Sequence, residues 1–303
     1  MLRQKKQVII TFLAPAVLIY LLVFLYPTIR TVLMSFFAVQ NVTDPVSTWS
    51  FIGFANFQRI FSSHVYIQSL KNIGRIWLFG GLGTMLFALV FAVVLTGGDI
   101  KGSKFFRAVI YMPNVISAVA MGTMWLNYVY SPEFGLLHRL FSFLGMEAAS
   151  NIIWTGPGFR FWAMLIAYCF GAVGYFMLIF ISGIDQIPKD YYEAAIIEGA
   201  QKVRRFFLVT LPFIRGVTRT NVVMWTVSVL GFFLWSQLFS PINLSLDTVA
   251  PMNYMFQIVF GPASAVSPRD SGAGAAIGVI LMLIIVIMFF ITRFIVRNDD
   301  AEV

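Results

Sequence analysis

The stretch from Ile184 to Gly216, IDQIPKDYYEAAIIEGAQKVRRFFLVTLPFIRG, is where charged and small residues gather in an otherwise very apolar chain. Projected at about 100° per residue, Ala195, Ile196, Gly199, Ala200, Val203, Phe206 and Phe207 share one side of a helix. Glu193, Glu198, Gln201, Lys202, Arg204 and Arg205 share the other. Ala194, Ile197 and Leu208 fall on the charged side, where water alone does not favour them, and suit a partner that covers that face. Glu193 is placed to accept a charge-assisted hydrogen bond from a basic group opposite, and the small Ala194 and Ala195 permit close approach. Pro188 marks where the helix begins and Pro212 where it is expected to stop. Gly199 costs about 1 kcal/mol relative to Ala inside a helix, which predicts a bend between two short helices. This is the chemistry of docking, not of bond making. The sequence contains no GxxxxGK[ST] phosphate loop, no HExxH, no CxxC and no GxSxG. His64 and His138 stand alone, so the chain is expected to have no catalytic residue, no metal site and no cofactor of its own.

The run Glu193-Ala194-Ala195, three residues, Gly199, nine residues, Val209, one residue and Leu211-Pro212 resembles the EAA loop of permease subunits of binding-protein-dependent ABC importers. Val209 stands where that family usually has Ile, and Glu198 where Asp is common before the glycine. The upstream IPKDYYEAA is similar to the carbohydrate-importer branch, as are FFRAVIYMPNVISAV (Phe105 to Val119) and FIGFANFQRIF (Phe51 to Phe61). The resemblance runs from about Phe51 to the end of the last apolar segment and points to the maltose-type, first-of-two permease. It implies that Glu193, Ala194, Ala195, Ile197, Gly199, Leu211 and Pro212 couple the chain to a separate cytoplasmic ATPase, which binds the ATP and Mg. It also implies a second homologous permease, two ATPase subunits, an extracytoplasmic binding protein and a place in the bacterial inner membrane. The reading from residues alone leaves another use for the segment, an amphipathic helix lying on lipid headgroups.

The elements around this stretch are apolar enough to cross a bilayer. Of 303 residues, 59% are hydrophobic and 11% charged, with a mean hydropathy of +0.84, far outside the soluble range. Windows free of charge run over 7–29, 76–98, 108–132, 161–184, 220–246 and 271–292, each beyond the roughly 20 residues a spanning helix needs. A seventh, 248–268, holds Pro251, Pro262 and Pro268 and reads as an outer loop with a short surface helix. The expected fold is an all-α integral membrane protein of the ABC type I importer class, with six transmembrane helices. The segments holding Lys101, Lys104 and Arg107, and Lys189, Lys202, Arg204, Arg205, Arg215 and Arg219, fall on one side, which places both termini in the cytoplasm. The net charge of +8 is then topological, facing anionic lipid, and does not indicate nucleic acid. Arg3, Lys5 and Lys6 before the first apolar run read as a retained anchor, not a cleaved signal. A single permease domain, 1–303, is expected, with a family core of about 72–295, the coupling segment 184–216 and outer loops near 40–70, 133–159 and 247–270.

Pro113 should break the third span, and broken spans are where transporters commonly hold substrate. By the resemblance, the cavity is lined from the third, fourth and fifth spans. Tyr175 falls where the family has a sugar-contacting Tyr, and Asn114 and Tyr168 fall at contact positions with changed identity. The fifth span departs from the amide-rich maltose-type pattern, carrying Val229, Gly231 and Phe232, so Trp225 and Phe232 join the candidate cavity residues as aromatic faces. Helix packing explains each of these side chains as well. The implied function is import of a mono- or oligosaccharide. Alternatives are the same machinery for a polyol, phosphorylated glycerol or acidic oligosaccharide, or a membrane enzyme or channel with no ATPase. Trp77, Trp125, Trp162 and Trp235 fall toward outer span ends and are expected to form an aromatic belt, where Lys71, Arg75 and Arg160 snorkel or greet an anion.

Overall fold

The computed structural model describes residues 6–97, 100–240, 245–261 and 269–295. Arg3, Lys5, Pro262 and Pro268 lie outside them, so the expectations resting on these residues have no structural counterpart here. In chain order the helices are α1 (Lys6–Tyr20), α2 (Tyr26–Met34), α3 (Ala55–Ser62), α4 (His64–Arg75), α5 (Gly81–Thr96), α6 (Ser103–Val115) and α7 (Ala118–Met124). They continue with α8 (Leu136–Phe143), α9 (Glu147–Ser150), α10 (Arg160–Ile184), α11 (Lys189–Ile197), α12 (Lys202–Arg205), α13 (Leu211–Phe213), α14 (Arg215–Leu230), α15 (Leu234–Phe239), α16 (Pro251–Phe260) and α17 (Ser271–Ile295). Single π-helical turns join α1 to α2 (Leu21–Leu25) and α4 to α5 (Ile76–Gly80), extend α7 (Trp125–Val129) and join α12 to α13 (Phe206–Thr210). The chain forms two compact units, Met1–Ile67 with Tyr254–Leu283, and Gln68–Asn253 with Ile284–Val303.

In the first unit a two-stranded antiparallel ribbon pairs Phe37 with Phe51 and Ala38 with Ser50. Buried Asn56 donates from Nδ2 to the carbonyls of Ser35 and Phe37, both at 2.9 Å. Ser271 Oγ donates to the Gln40 carbonyl at 2.9 Å, and Arg59 pairs with Asp270 at 2.7 Å. Met34, Val39 and Ala275 form one buried apolar cluster in it, with Phe37 and Trp49 against them.

The second unit is organised on α10. This helix has 25 residues, about 38 Å at 1.5 Å per residue, enough to cross the roughly 30 Å of hydrocarbon. Its Gly174 lies directly against the backbone of Ile110 and Tyr111 in α6, where any Cβ would collide. Glycine there is what lets the two helices touch. Beside it, Trp225 of α14 seats its ring on Gly80 and Gly81 and donates from Nε1 to the Trp77 carbonyl at 2.9 Å.

Among the described residues, four helical stretches are long and apolar enough to span a membrane: Ile10–Met34, His64–Thr96, Arg160–Ile184 and Ser271–Thr292. A fifth crossing is available if α6 and the α7 run through Val129, bent by 97°, count as one broken span. That break is the one Pro113 predicts. The helix stops two residues later, Ile116 and Ser117 are extended, and Ser117 Oγ caps α7 by accepting from the Ala120 amide at 3.3 Å. The window 220–246 is not one helix. It divides at Gly231 into the end of α14 and the six residues of α15, because Gly231-Phe232-Phe233 leaves the helical conformation and neither piece reaches spanning length alone.

Candidate functional site

The bend at Gly199 is present. Pro188 is the N-cap of α11, the helix ends at Ile197, and Gly199 adopts φ +77°, a left-handed conformation that costs an L-residue roughly 1–2 kcal/mol. Nothing lies within 4 Å of where a Cβ on Gly199 would sit. The glycine is therefore there for its backbone, not for space. The break corrects the projection of this segment onto a single amphipathic helix: α11 and α12 are separate and have no common face.

The helical run stops next to Pro212, as expected, at Phe213. Pro212 sits in the first turn of α13, where its missing amide is tolerated, and the chain leaves the helix two residues later at Ile214. Across the bend Tyr192 Oη and Thr210 Oγ1 are 3.0 Å apart, and the Tyr191 and Phe213 rings lie 4.7 Å apart. Held this way, the loop presents Ile196, Ile197, Val203, Phe207 and Leu208 exposed, with Ile197 at 87%. Glu193 and Ala194 are exposed and Ala195 is half-buried. A compact projection with bare apolar side chains beside the exposed carboxylates of Glu193 and Glu198 suits docking into another protein.

A cavity of about 330 Å³ opens where α6 breaks, at the lower end of the range of ligand pockets. Pro113, Asn114 and Ile116 form one wall, Tyr168, Gly171, Ala172, Tyr175 and Phe176 of α10 another, and Met121, Ser228 and Trp235 complete it. Asn114 Nδ2 donates to the Gly171 carbonyl at 3.4 Å, so the carbonyl oxygen of its amide stays free to accept. Tyr168 is held by aromatic contacts, at 4.9 Å from Phe232, 5.4 Å from Trp225 and 5.9 Å from Trp235.

Three of the five residues read from the sequence, Asn114, Tyr168 and Tyr175, line this space. Trp225 and Phe232 do not. Each is 2% exposed and packs behind Tyr168, because the small Gly80 and Gly81 open a slot that takes the Trp225 indole. Trp235 and Ser228 are lining residues that the sequence reading missed. Trp235 corrects the aromatic belt: it is buried in the cavity wall, whereas Trp162 is half exposed as a belt residue would be. Trp77 is anchored inward by donating to Thr226 Oγ1 at 2.9 Å.

Below Tyr175 a second space, about 430 Å³, is lined by Tyr111, Ser182, Gln186, Val217 and Thr220 among others, and Tyr175 belongs to both. The residues 168, 171, 172, 175, 178, 179 and 182 therefore form one stripe down α10, at the three- and four-residue spacing of a single helix face, with Gln186 just past its end. Tyr175 is the partition between its two halves.

Among curated relatives, the chain is 28% identical over 268 residues to the diacetylchitobiose uptake system permease protein NgcF of Streptomyces coelicolor, covering 84% of this chain and 74% of that one. It is 28% identical to the arabinooligosaccharides transport system permease protein AraP of Halalkalibacterium halodurans, covering 94% and 86%. The fold is similar to a chain in the crystal structure of a bacterial ABC transporter involved in the import of the acidic polysaccharide alginate. The TM-score is 0.80 at 18% identity, over 97% of this chain and 96% of that one. The family model for the binding-protein-dependent transport system inner membrane component matches residues 84–298, and with the broken α6–α7 pair and the Gly199 bend inside that span, the chain belongs to this family.

Proposed function

We propose that the chain is the membrane-spanning subunit of an ABC importer that passes an uncharged carbohydrate, received from an extracytoplasmic binding protein, across the bacterial inner membrane. The observation that carries the substrate class is the cavity at the α6 break. Its wall combines aromatic faces (Tyr168, Tyr175, Trp235) with an amide and a hydroxyl (Asn114, Ser228) and, among the described residues, includes no charged side chain. Sugar rings stack on aromatic faces and their hydroxyls bond to amides, whereas a phosphate or uronate would enter with its charge unpaired. The cavity thus favours a neutral sugar over glycerol phosphate or an acidic oligosaccharide. The names of NgcF and AraP, both referring to oligosaccharides, agree with that class.

In this reading six crossings place both termini in the cytoplasm, with the α6–α7 pair as the third and α14 with α15 as the fifth. The Gly199 projection then lies in the cytoplasm against one of two ATPase subunits, where ATP and Mg are bound. A second permease completes the membrane unit. Closure of the ATPases pushes on α11, and the lever α10 passes that movement to the cavity.

The test is uptake by the complete transporter with its binding protein in proteoliposomes, offered neutral oligosaccharides, uronic acid oligosaccharides and glycerol phosphate. ATP-dependent accumulation of a neutral sugar is expected. Accumulation of the charged solutes alone would refute the substrate class while leaving the family untouched.

A further inference from the structure

A separate cavity of about 410 Å³ lies where two spanning stretches begin their apolar runs, at Ile76 and Phe161, and its walls include Gln68, Arg75, Phe79, Phe161, Trp162 and Asp247. Arg75 and Asp247 have opposite charges and line the same space, yet they form no ion pair. Ion pairs do form elsewhere among the described residues, as between Arg59 and Asp270 and between Arg107 and Asp185.

The separation is built in. Asn72, fully buried, donates from Nδ2 to the carbonyls of Leu246 at 2.8 Å and Val249 at 3.0 Å, which fixes the turn bearing Asp247 against α4. Gln68, Asn72 and Arg75 follow one another at intervals of four and three residues, so they share one face of that helix. Two opposite charges are thereby held across a space from each other, and a ligand with both charges would complete the circuit.

The rest of the wall says what else that ligand carries. Phe79 and Trp162 meet edge to face at 5.5 Å and are about half exposed, at 49% and 46%. From Phe79 the exposed stripe continues along α5 to Leu82 at 65% and Leu86 at 60%. From Trp162 it continues along α10 to Ile166 at 51% and Phe170 at 49%. The charged end therefore sits at the start of the hydrocarbon-length segments and the other end opens onto bare apolar side chains. A sugar has no use for those stripes, and an anionic lipid would meet the Asp247 carboxylate.

We propose that this cavity binds a zwitterionic glycerophospholipid, with the phosphate on Arg75 and Gln68, the ammonium on Asp247, the glycerol region against the paired rings of Phe79 and Trp162, and the acyl chains along the two stripes. The inference uses the membrane placement of the family and is independent of which solute is carried, since none of these residues lines the Asn114–Tyr168 cavity.

The complete transporter, exchanged into micelles with equal phosphatidylethanolamine and phosphatidylglycerol, is read by native mass spectrometry for retained lipid. The expected preference for phosphatidylethanolamine is about fivefold, the scale of one partly exposed charge pair. Asp247→Asn should abolish the preference, Arg75→Gln should lose retention of both lipids, and Arg75→Lys should restore it, which separates lost charge from lost fold. Equal retention in wild type, an unchanged preference in Asp247→Asn, or no retained lipid because a partner subunit covers the stripes would overturn the proposal. So would displacement by soluble phosphoethanolamine at the lipid's own concentration, since the acyl chains would then contribute nothing.

Discussion

Tyr192 and Thr210 hydrogen-bond across the bend at Gly199, with their hydroxyl oxygens 3.0 Å apart, and this bond joins α11 to the helical run that leads into α14. A push on α11 is passed on as movement only if that joint is stiff. Tyr192→Phe keeps the ring and removes one hydrogen bond, about 1 kcal/mol. In proteoliposomes the variant is expected to keep ATP hydrolysis and to carry several-fold less sugar per ATP hydrolysed. Equal stoichiometry would show that the joint is not part of the coupling.

Gly199 offers a second, independent test of the same loop. At φ +77° an L-residue is strained by roughly 1–2 kcal/mol, while the space around it is empty. Gly199→Ala and Gly199→Leu should therefore damage coupling to a similar degree, because backbone strain and not bulk is at fault. Both are expected to insert normally in the membrane. A graded loss from Ala to Leu in ATP-driven uptake would instead mean that a partner surface closes over this position.

In the cavity, Tyr168 allows a hydroxyl to be separated from a ring. Its ring rests on Phe232, Trp225 and Trp235, so Tyr168→Phe keeps the packing. Loss of one hydrogen bond to a neutral sugar, about 1–1.5 kcal/mol, corresponds to roughly a five- to tenfold weaker apparent affinity. Tyr168→Ala should lower the thermal stability of the detergent-purified complex as well, since it unseats the three aromatic partners. Uptake kinetics together with a melting curve distinguish the two. An unchanged affinity in Tyr168→Phe would remove the hydroxyl from the site.

What could be read in the sequence, and what could not, has a common physical cause. Charge-free windows and proline report where chain meets water and where a helix must break, so the long helices within 7–29, 76–98, 161–184 and 271–292, the break after Pro113 and the bend at Gly199 were legible, whereas the interruption of 220–246 at Gly231 was not. They do not report which apolar neighbour a side chain faces, since lipid, a second helix and a cavity wall all accept the same residues. Trp225 and Phe232 therefore looked like cavity residues and are buried behind Tyr168, while Trp235 looked like a belt residue and lines the cavity. Only the placement of Gly80 and Gly81 opposite Trp225 decides this, and a glycine pair in an apolar helix does not name its partner. The projection of 193–208 onto one helix failed for a related reason: a single positive φ resets the phase of every residue after it.

The last prediction concerns what covers the projection. Ile197 is 87% exposed, and Ile196, Val203, Phe207 and Leu208 are bare beside it, which is costly in water and is relieved either by an ATPase groove or by lipid headgroups. The two covers respond differently to charge. On an anionic membrane surface, Glu193→Lys adds attraction and should strengthen attachment, by about 1 kcal/mol per basic residue near the surface. In a protein groove the same change replaces an acceptor with a cation facing a basic partner, and like charges juxtaposed in an interface cost several kcal/mol. Glu193→Lys and Ile197→Asp are each expected to leave the permease in the membrane and to lose the ATPase subunits during purification, read as the ratio of the two on a stained gel. Retention of the ATPases in both variants would mean that the projection rests on lipid and that coupling runs elsewhere.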